Sequence, residues 1–358
     1  MSWIAERATD MTDIAVIGAG IIGLTTALRL ASDGHDVTVI APAEAPHMAS
    51  TGNAGTIATY ATDPVATPAV LRGLPQLLLD PLSPLAIHRP SLARLVPWLT
   101  RFGWQALPGP AGRNRRALVP LLAGTDEEWD RLARQVGAGA LLRPRGALYA
   151  FNSPQALRAA QPGLERHRAH GCSAELLDAT ALERLEPGLP PGHFAGAMLF
   201  HDTRVLSDPG QMLARIAGAA TTGGVQRVMG RVHRITRRGQ GWRLALEDDA
   251  PVEAAQIVIA AGAWSRGLAR SLGASVPLDT ERGYHLEFDM DNIALPLTRP
   301  LCPARFGFYF TPMEGRLRAA GTVELGGRDA PPSPHRWKQL EKGVRSVFPD
   351  LPAVSRRW

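Results

Sequence analysis

Residues 13–42 read DIAVIGAGIIGLTTALRLASDGHDVTVIAP, and this stretch decides how the chain begins to fold. Residues 14–17 are a short apolar run, a helical pattern runs from about Ile21 to Ser32, and 37–40 form a second apolar run. Pro42 ends that second strand, because the residue before a proline is held extended and the ring has no amide donor. Gly18, Gly20 and Gly23 set G-x-G-x-x-G between strand and helix. In such a unit the first glycine allows a tight turn and the second lets the backbone approach a pyrophosphate. The third lets helix and strand pack closely. Phosphates then rest against the helix N-terminus, where free amides and the helix dipole favour negative charge. The stretch is read as a dinucleotide site with Ile17, Gly18, Gly20, Ile21, Ile22 and Gly23 around the phosphates.

The choice of dinucleotide turns on the end of the second strand. NADP needs a cation there for its 2′-phosphate. No lysine or arginine lies between Arg29 and Arg72, which argues against NADP. NAD and FAD both favour an acidic residue on the ribose hydroxyls, and Ala41 stands at that position. Glu44 could reach it only by folding back past Pro42. A charged hydrogen bond is worth about 1.5–3 kcal/mol, so its loss costs roughly tenfold to a hundredfold in affinity, which a large cofactor survives.

Composition sets the outer limits. With 358 residues and 45% hydrophobic content, the chain can bury two sizeable cores. The formal charge of +6 is arginine spread along the chain, with small clusters at Arg113, Arg115, Arg116 and at Arg234, Arg237, Arg238. No single basic patch or nucleic-acid motif appears, so nucleic acid is not an expected partner, and a weak attraction to anionic membrane surfaces fits better. Cys172 and Cys302 form no metal pair or disulfide framework, which suits a reducing, cytoplasmic setting. His167 and His170 lie three apart without a third ligand and are read as a solvated helix face. No apolar run is long enough to span a bilayer. The start, MSWIAERATD, lacks the features of a signal peptide and is read as a disordered lead-in, with the fold beginning near Met11.

Further along, residues 61–112 are proline-rich and carry short apolar helices such as SLARLVPWLTRFGWQAL. The block is read as core packing or a lid over a cleft, with a membrane surface as the alternative partner for its apolar faces. A long amphipathic helix is expected near 115–137, a strand at 146–151, helix through 154–188, and short β-runs over 276–328. DPGQMLARIAGAATTGG reads as a helix with Asp208 and Pro209 at its start.

The later motifs carry a family resemblance. STGNAGTIA (50–58), GGVQRVMGRV (223–232), IVIAAGAWS (257–265), VPLDTERGYHLEF (276–288) and TPMEGRLRAAGTVELGG (311–327) follow the glycine turn in that order. Together they resemble the FAD-dependent amine oxidoreductases of the D-amino-acid oxidase superfamily, most of all the bacterial small-subunit-type D-amino-acid dehydrogenases. The resemblance implies an α/β fold, with a Rossmann-like FAD-binding domain and a mixed β-sheet substrate domain. It places FAD against Ser50, Thr51, Asn53 and Gly55, the main chain of Val232, and Ala261, Gly262 and Trp264. The FAD domain is expected at 11–60 and 195–275 and the substrate domain at 61–194 and 276–335. Residues 336–358 would form a return helix towards a C-terminal strand expected to be missing from this sequence.

The resemblance also implies a reaction. The flavin accepts a hydride from the substrate α-carbon, and water hydrolyses the imine, so no Ser-His-Asp set is needed. The protein orients an amino acid by its carboxylate, usually with an arginine fork and a tyrosine. Tyr284 matches the position expected to face the flavin, with His285, Arg305 and Tyr309 as further candidates. Such proteins usually continue into a Gly-x-Arg-Pro segment and a glycine-rich turn, whereas this sequence stops at Trp358. That difference leads to an expectation of weakened FAD binding, with a partner-subunit role as one alternative. A glycine or sarcosine oxidase and an NAD-dependent dehydrogenase are the others. The expected partners are an amino acid and an electron acceptor such as a quinone, with peripheral membrane contact at the inner face of the cell membrane as one setting.

Overall fold

A computed structural model describes residues 12–43, 48–80, 83–247 and 249–358. Met11, the lead-in before it and Glu44 lie outside the described residues. The chain divides into two compact units, the first made of residues 1–51, 135–137 and 210–279.

In the first unit, four parallel strands lie in the order Gln226–Met229, Asp36–Ala41, Asp13–Ile17, Gln256–Ile259. The apolar run at 14–17 is buried, as a parallel strand covered on both faces must be. The helix Ile21–Ser32 makes the crossover to Asp36–Ala41 and buries Gly23, Leu24, Ala27 and Leu28. An antiparallel meander of Val232–Arg238, Gly241–Leu246 and Val252–Ala254 shares one core with the sheet, built on Ile17, Ile40, Ile235 and Leu244.

The second unit is dominated by a nine-stranded mixed sheet. Its longest pair is the antiparallel Glu281–Asp289 and Arg316–Leu325, flanked by Tyr309–Met313 on one side and by the edge strand Val354–Arg357 on the other. Side chains alternate across these strands. Leu286, Phe288, Phe310, Leu317 and Ala319 enter one apolar core under the helix Pro334–Val347. His285, Glu287, Thr311 and Arg318 belong to the opposite parity. A register shift between Tyr284 and His285, opposite Gly321 with φ +130°, sets these faces.

Several expectations need correction. The unit boundaries fall after Thr51, at Gly210 and after Asp279, so residues 52–60 and 195–209 fold with the large sheet. Gly196–Phe200 pairs within that sheet, and Arg204–Leu206 pairs with Thr56–Ile57 and Leu142–Pro144 in a separate three-stranded sheet of the same unit, which overrides their proximity in sequence to the cofactor motifs. Residues 354–357 already form a strand of that sheet. The helix expected over 115–137 is broken at Gly124, with φ +75°, into Pro108–Leu122 and Thr125–Gln135. The helix expected through 154–188 contains the strand Ala174–Asp178, where tertiary pairing with Gly196–Phe200 outweighs helix propensity. Core packing does not describe the helix Leu92–Gln105, of which only Leu95 is buried.

Candidate functional site

The glycine turn is a cradle that side chains would fill. Gly18 has φ +114°, and a Cβ there would lie 2.5 Å from the carbonyl oxygen of Ala260. A Cβ on Gly23 would lie 1.8 Å from the oxygen of Gly18, so helix and turn meet only because both residues are glycine. The Gly18 amide donates to Ile40 and that of Ala260 to Ile17, which ties the turn to both neighbouring strands. Ser50 Oγ accepts the Ile21 amide at 3.0 Å and lies 3.2 Å from where a Gly20 Cβ would sit. The remaining first-turn amides have no intrahelical partner, the arrangement that receives a pyrophosphate. Ile22 is exposed, Gly262 has φ +54°, and Trp264 is exposed in the helical turn Gly262–Trp264 that follows the strand Gln256–Ile259 by way of Ala260 and Ala261. Val232 is buried in the unit's core. Thr51 Oγ1 donates to the carbonyl of Met48. Ala41 ends its strand with its carbonyl taken by the Gly230 amide. This cradle fits a dinucleotide cofactor.

In the second unit, the carbonyls of residues 52–55 are each held by a different donor. His285 Nδ1 lies 2.9 Å from the oxygen of Gly52, and Arg318 Nη1 donates to Asn53 at 2.7 Å. Thr311 Oγ1 donates to Ala54 at 2.8 Å, and the Leu206 amide donates to Gly55 at 2.7 Å. Asn53 Oδ1 accepts the Gly55 amide, closing a tight turn in which Gly55 has φ +70°. With every carbonyl engaged, the path of this loop is determined by the sheet beneath it.

That sheet face carries a buried charge network. Arg318 holds Glu287 Oε1 through Nε at 2.9 Å and Nη2 at 2.6 Å, and Arg316 joins Glu287 to Asp208. Burial alone would raise the Glu287 pKa, but the hydrogen bond and charge of Arg318 bring it below the usual range. His285 is lowered to about 4, first by burial and then by the Arg318 charge. It is therefore neutral at pH 7, with the Nδ1 proton on Gly52 and its ring stacked on Trp358.

A cavity of about 420 Å³ opens beside this face. Tyr60, Tyr149 and Tyr309, three of the four tyrosines in the chain, line it with Phe151, Met198 and Phe200. The hydroxyls of Tyr60 and Tyr309 are 2.6 Å apart. Burial pushes both phenols well up, so they remain proton donors at neutral pH. Arg166, His167 and Asp63 also line the cavity. His167 meets the Phe200 ring edge to face, so it is a wall residue rather than part of a solvated helix face.

Of the four expected substrate residues, only Tyr309 lines the cavity. Tyr284 belongs to the other face, where its hydroxyl donates to Glu324 at 2.5 Å and accepts the Ser333 amide. His285 holds the loop at Gly52, and Arg305 is exposed on a turn beside Phe306. Tyr60, Tyr149 and Arg166 line the cavity without having been expected there, and His167 was expected on a solvated face. The scarcity of tyrosine was the available signal.

The glycine cradle and the two-unit α/β architecture define the class, and comparison with known families agrees. Residues 13–358 match the family described as FAD dependent oxidoreductase. The chain belongs to that family, and FAD is its cofactor. A D-amino-acid oxidase of Bradyrhizobium diazoefficiens is 31% identical over 344 residues, which are 95% of this chain and 80% of that protein. A D-amino acid dehydrogenase of Granulibacter bethesdensis is 24% identical over 96% of this chain and 83% of its own length. Glycine oxidase from Geobacillus kaustophilus shares the fold, with a TM-score of 0.68 at 22% identity over 98% of this chain and 82% of that one.

Proposed function

We propose that the protein oxidises the carbon–nitrogen bond of a D-amino acid or a D-proline-type imino acid. The observation that carries this reading is the hydroxyl pair of Tyr60 and Tyr309 within an aromatic cavity that Arg166 also lines. Two phenols that stay protonated are suited to donate to a carboxylate, and a guanidinium supplies the opposite charge. Phe151, Met198 and Phe200 offer apolar surface for a side chain and exclude water from the reacting carbon. At the α-carbon the C–H bond breaks as hydride leaves, and the amine lone pair and loss of a proton close the C=N bond. For a primary amino acid, water then adds to the imine and releases ammonia and the 2-oxo acid; for a ring imino acid the cyclic imine is the product, and water opens it to an amino-oxo acid that keeps its nitrogen. Bound FAD supplies the two-electron acceptor for this chemistry, and a quinone or similar external acceptor completes the cycle.

A cavity of about 420 Å³ favours a substrate with a side chain, because glycine would leave most of it empty. Sarcosine and glycine remain the second reading. Anaerobic bleaching of the flavin by D-alanine, D-proline, D-phenylalanine, their L-enantiomers, sarcosine and glycine tests both. Bleaching by the D-series supports the proposal, bleaching mainly by glycine or sarcosine replaces it with the second reading, and no bleaching by any amine overturns both.

A further inference from the structure

The arginines are spread along the chain, but the acidic residues are not. Residues 81–125 contain Arg89, Arg94, Arg101, Arg113, Arg115 and Arg116 and no aspartate or glutamate, so this stretch equals the whole net charge of +6. Two helices occupy most of it, Leu92–Gln105 and Pro108–Leu122. Their apolar residues face outward to an unusual degree. Trp104 is 63% exposed, Val96 52%, Leu92 46% and Leu107 41%. Leu92 and Val96 lie one turn apart on the same side of the first helix. Arg115 is paired with Asp63, while Arg89, Arg101, Arg113 and Arg116 are exposed, and among the described residues no ion pair is seen for them.

We propose that this helix pair docks the protein on an anionic phospholipid surface. Exposed tryptophan and leucine beside arginine, with no acid to repel phosphate, is the combination that lets a helix lie in a membrane interface. There the aromatic and aliphatic groups enter the headgroup boundary and the cations meet the lipid charge. The exposed cations Arg89, Arg101, Arg113 and Arg116 beside these exposed apolar residues give the charge complement of an anionic lipid surface. Among the described residues no helix is long and apolar enough to cross a membrane, so the contact is peripheral.

The test is co-sedimentation of the full, FAD-loaded chain with vesicles of phosphatidylcholine alone and with added phosphatidylglycerol. Binding to the anionic vesicles, at least tenfold weaker on the neutral ones and lost in high salt, is the expected result. Removing one exposed arginine, in Arg101→Gln or Arg113→Gln, should lower partitioning about fivefold, which is about 1 kcal/mol. Trp104→Gln should weaken binding and abolish a lipid-induced blue shift in tryptophan fluorescence. All three sites are exposed, so flavin content and thermal unfolding should stay unchanged. Absence of binding to anionic vesicles, or binding indifferent to all three substitutions, overturns the proposal. Self-association without lipid that Trp104→Gln abolishes would overturn it in favour of a second copy of the chain.

Discussion

Arg318 donates to the carbonyl of Asn53 at 2.7 Å while its other two guanidinium nitrogens hold Glu287. One buried side chain thus links the charge network of the sheet to the path of the 52–55 loop. Arg318→Met leaves Glu287 short of its main partner and should cost about 3 kcal/mol. Arg318→Met combined with Glu287→Gln removes both charges and should recover most of that stability without restoring the loop contact. Thermal unfolding separates the two effects, and a titration with FAD should show weaker binding in both variants.

The His285 pKa of about 4 lies below that of an unfolded histidine, so the unfolded chain binds the extra proton first. Stability from this group is complete above about pH 6.5 and is lost as pH falls toward about 4, with a total on the order of 3 kcal/mol. Glu287, also lowered, is lost in the same direction at still lower pH. Denaturant unfolding from pH 7 to pH 4 should show this decline, and His285→Asn should flatten its upper part.

Gly18→Ala and Gly23→Ala should each abolish FAD binding, because the added methyl meets backbone at 2.5 and 1.8 Å. Gly73→Ala is the contrasting case. That helical position has open space around it, and the substitution should leave binding intact and add about 0.5–1 kcal/mol. Flavin content and melting temperature of the three proteins decide the matter.

Ala41→Glu restores a carboxylate at the end of the second strand, and FAD affinity should rise about tenfold. Fluorescence titration of the apoprotein measures it, and an unchanged Kd would mean that the ribose is held elsewhere.

Tyr309→Phe and Tyr60→Phe should raise KM about tenfold for the best substrate with a smaller effect on kcat, since on the proposed function each removes a donor to the carboxylate. Tyr284→Phe should leave KM unchanged and lower thermal stability, because its hydroxyl serves Glu324 and Ser333.

The glycine turn was legible because each glycine answers a local steric demand, and helix Ile21–Ser32 begins and ends where the pattern places it. The strand Ala174–Asp178 was not, because its only cause is a partner strand some twenty residues later. Tyr284 and His285 show the same limit within the site. The extra residue Gly321 on the partner strand puts Glu324 on the face of Tyr284 and leaves Arg318 on that of His285 and Glu287, and nothing local in RGYHL records it. Tyr60 and Tyr309 stand 249 positions apart, so their contact belongs to the topology alone.

The hydroxyl pair also bears on selectivity. An arriving molecule cannot simply add bonds to Tyr60 and Tyr309, since each phenol is already satisfied by the other at 2.6 Å. Only a group that accepts from both at once compensates for the bond it displaces. Amines without an acid group, however well their bodies suit Phe151 and Met198, forfeit that exchange. On the proposed function, the chamber would discriminate by substitution of one satisfied contact for two, and an amine lacking its carboxylate is the ligand it should refuse most firmly.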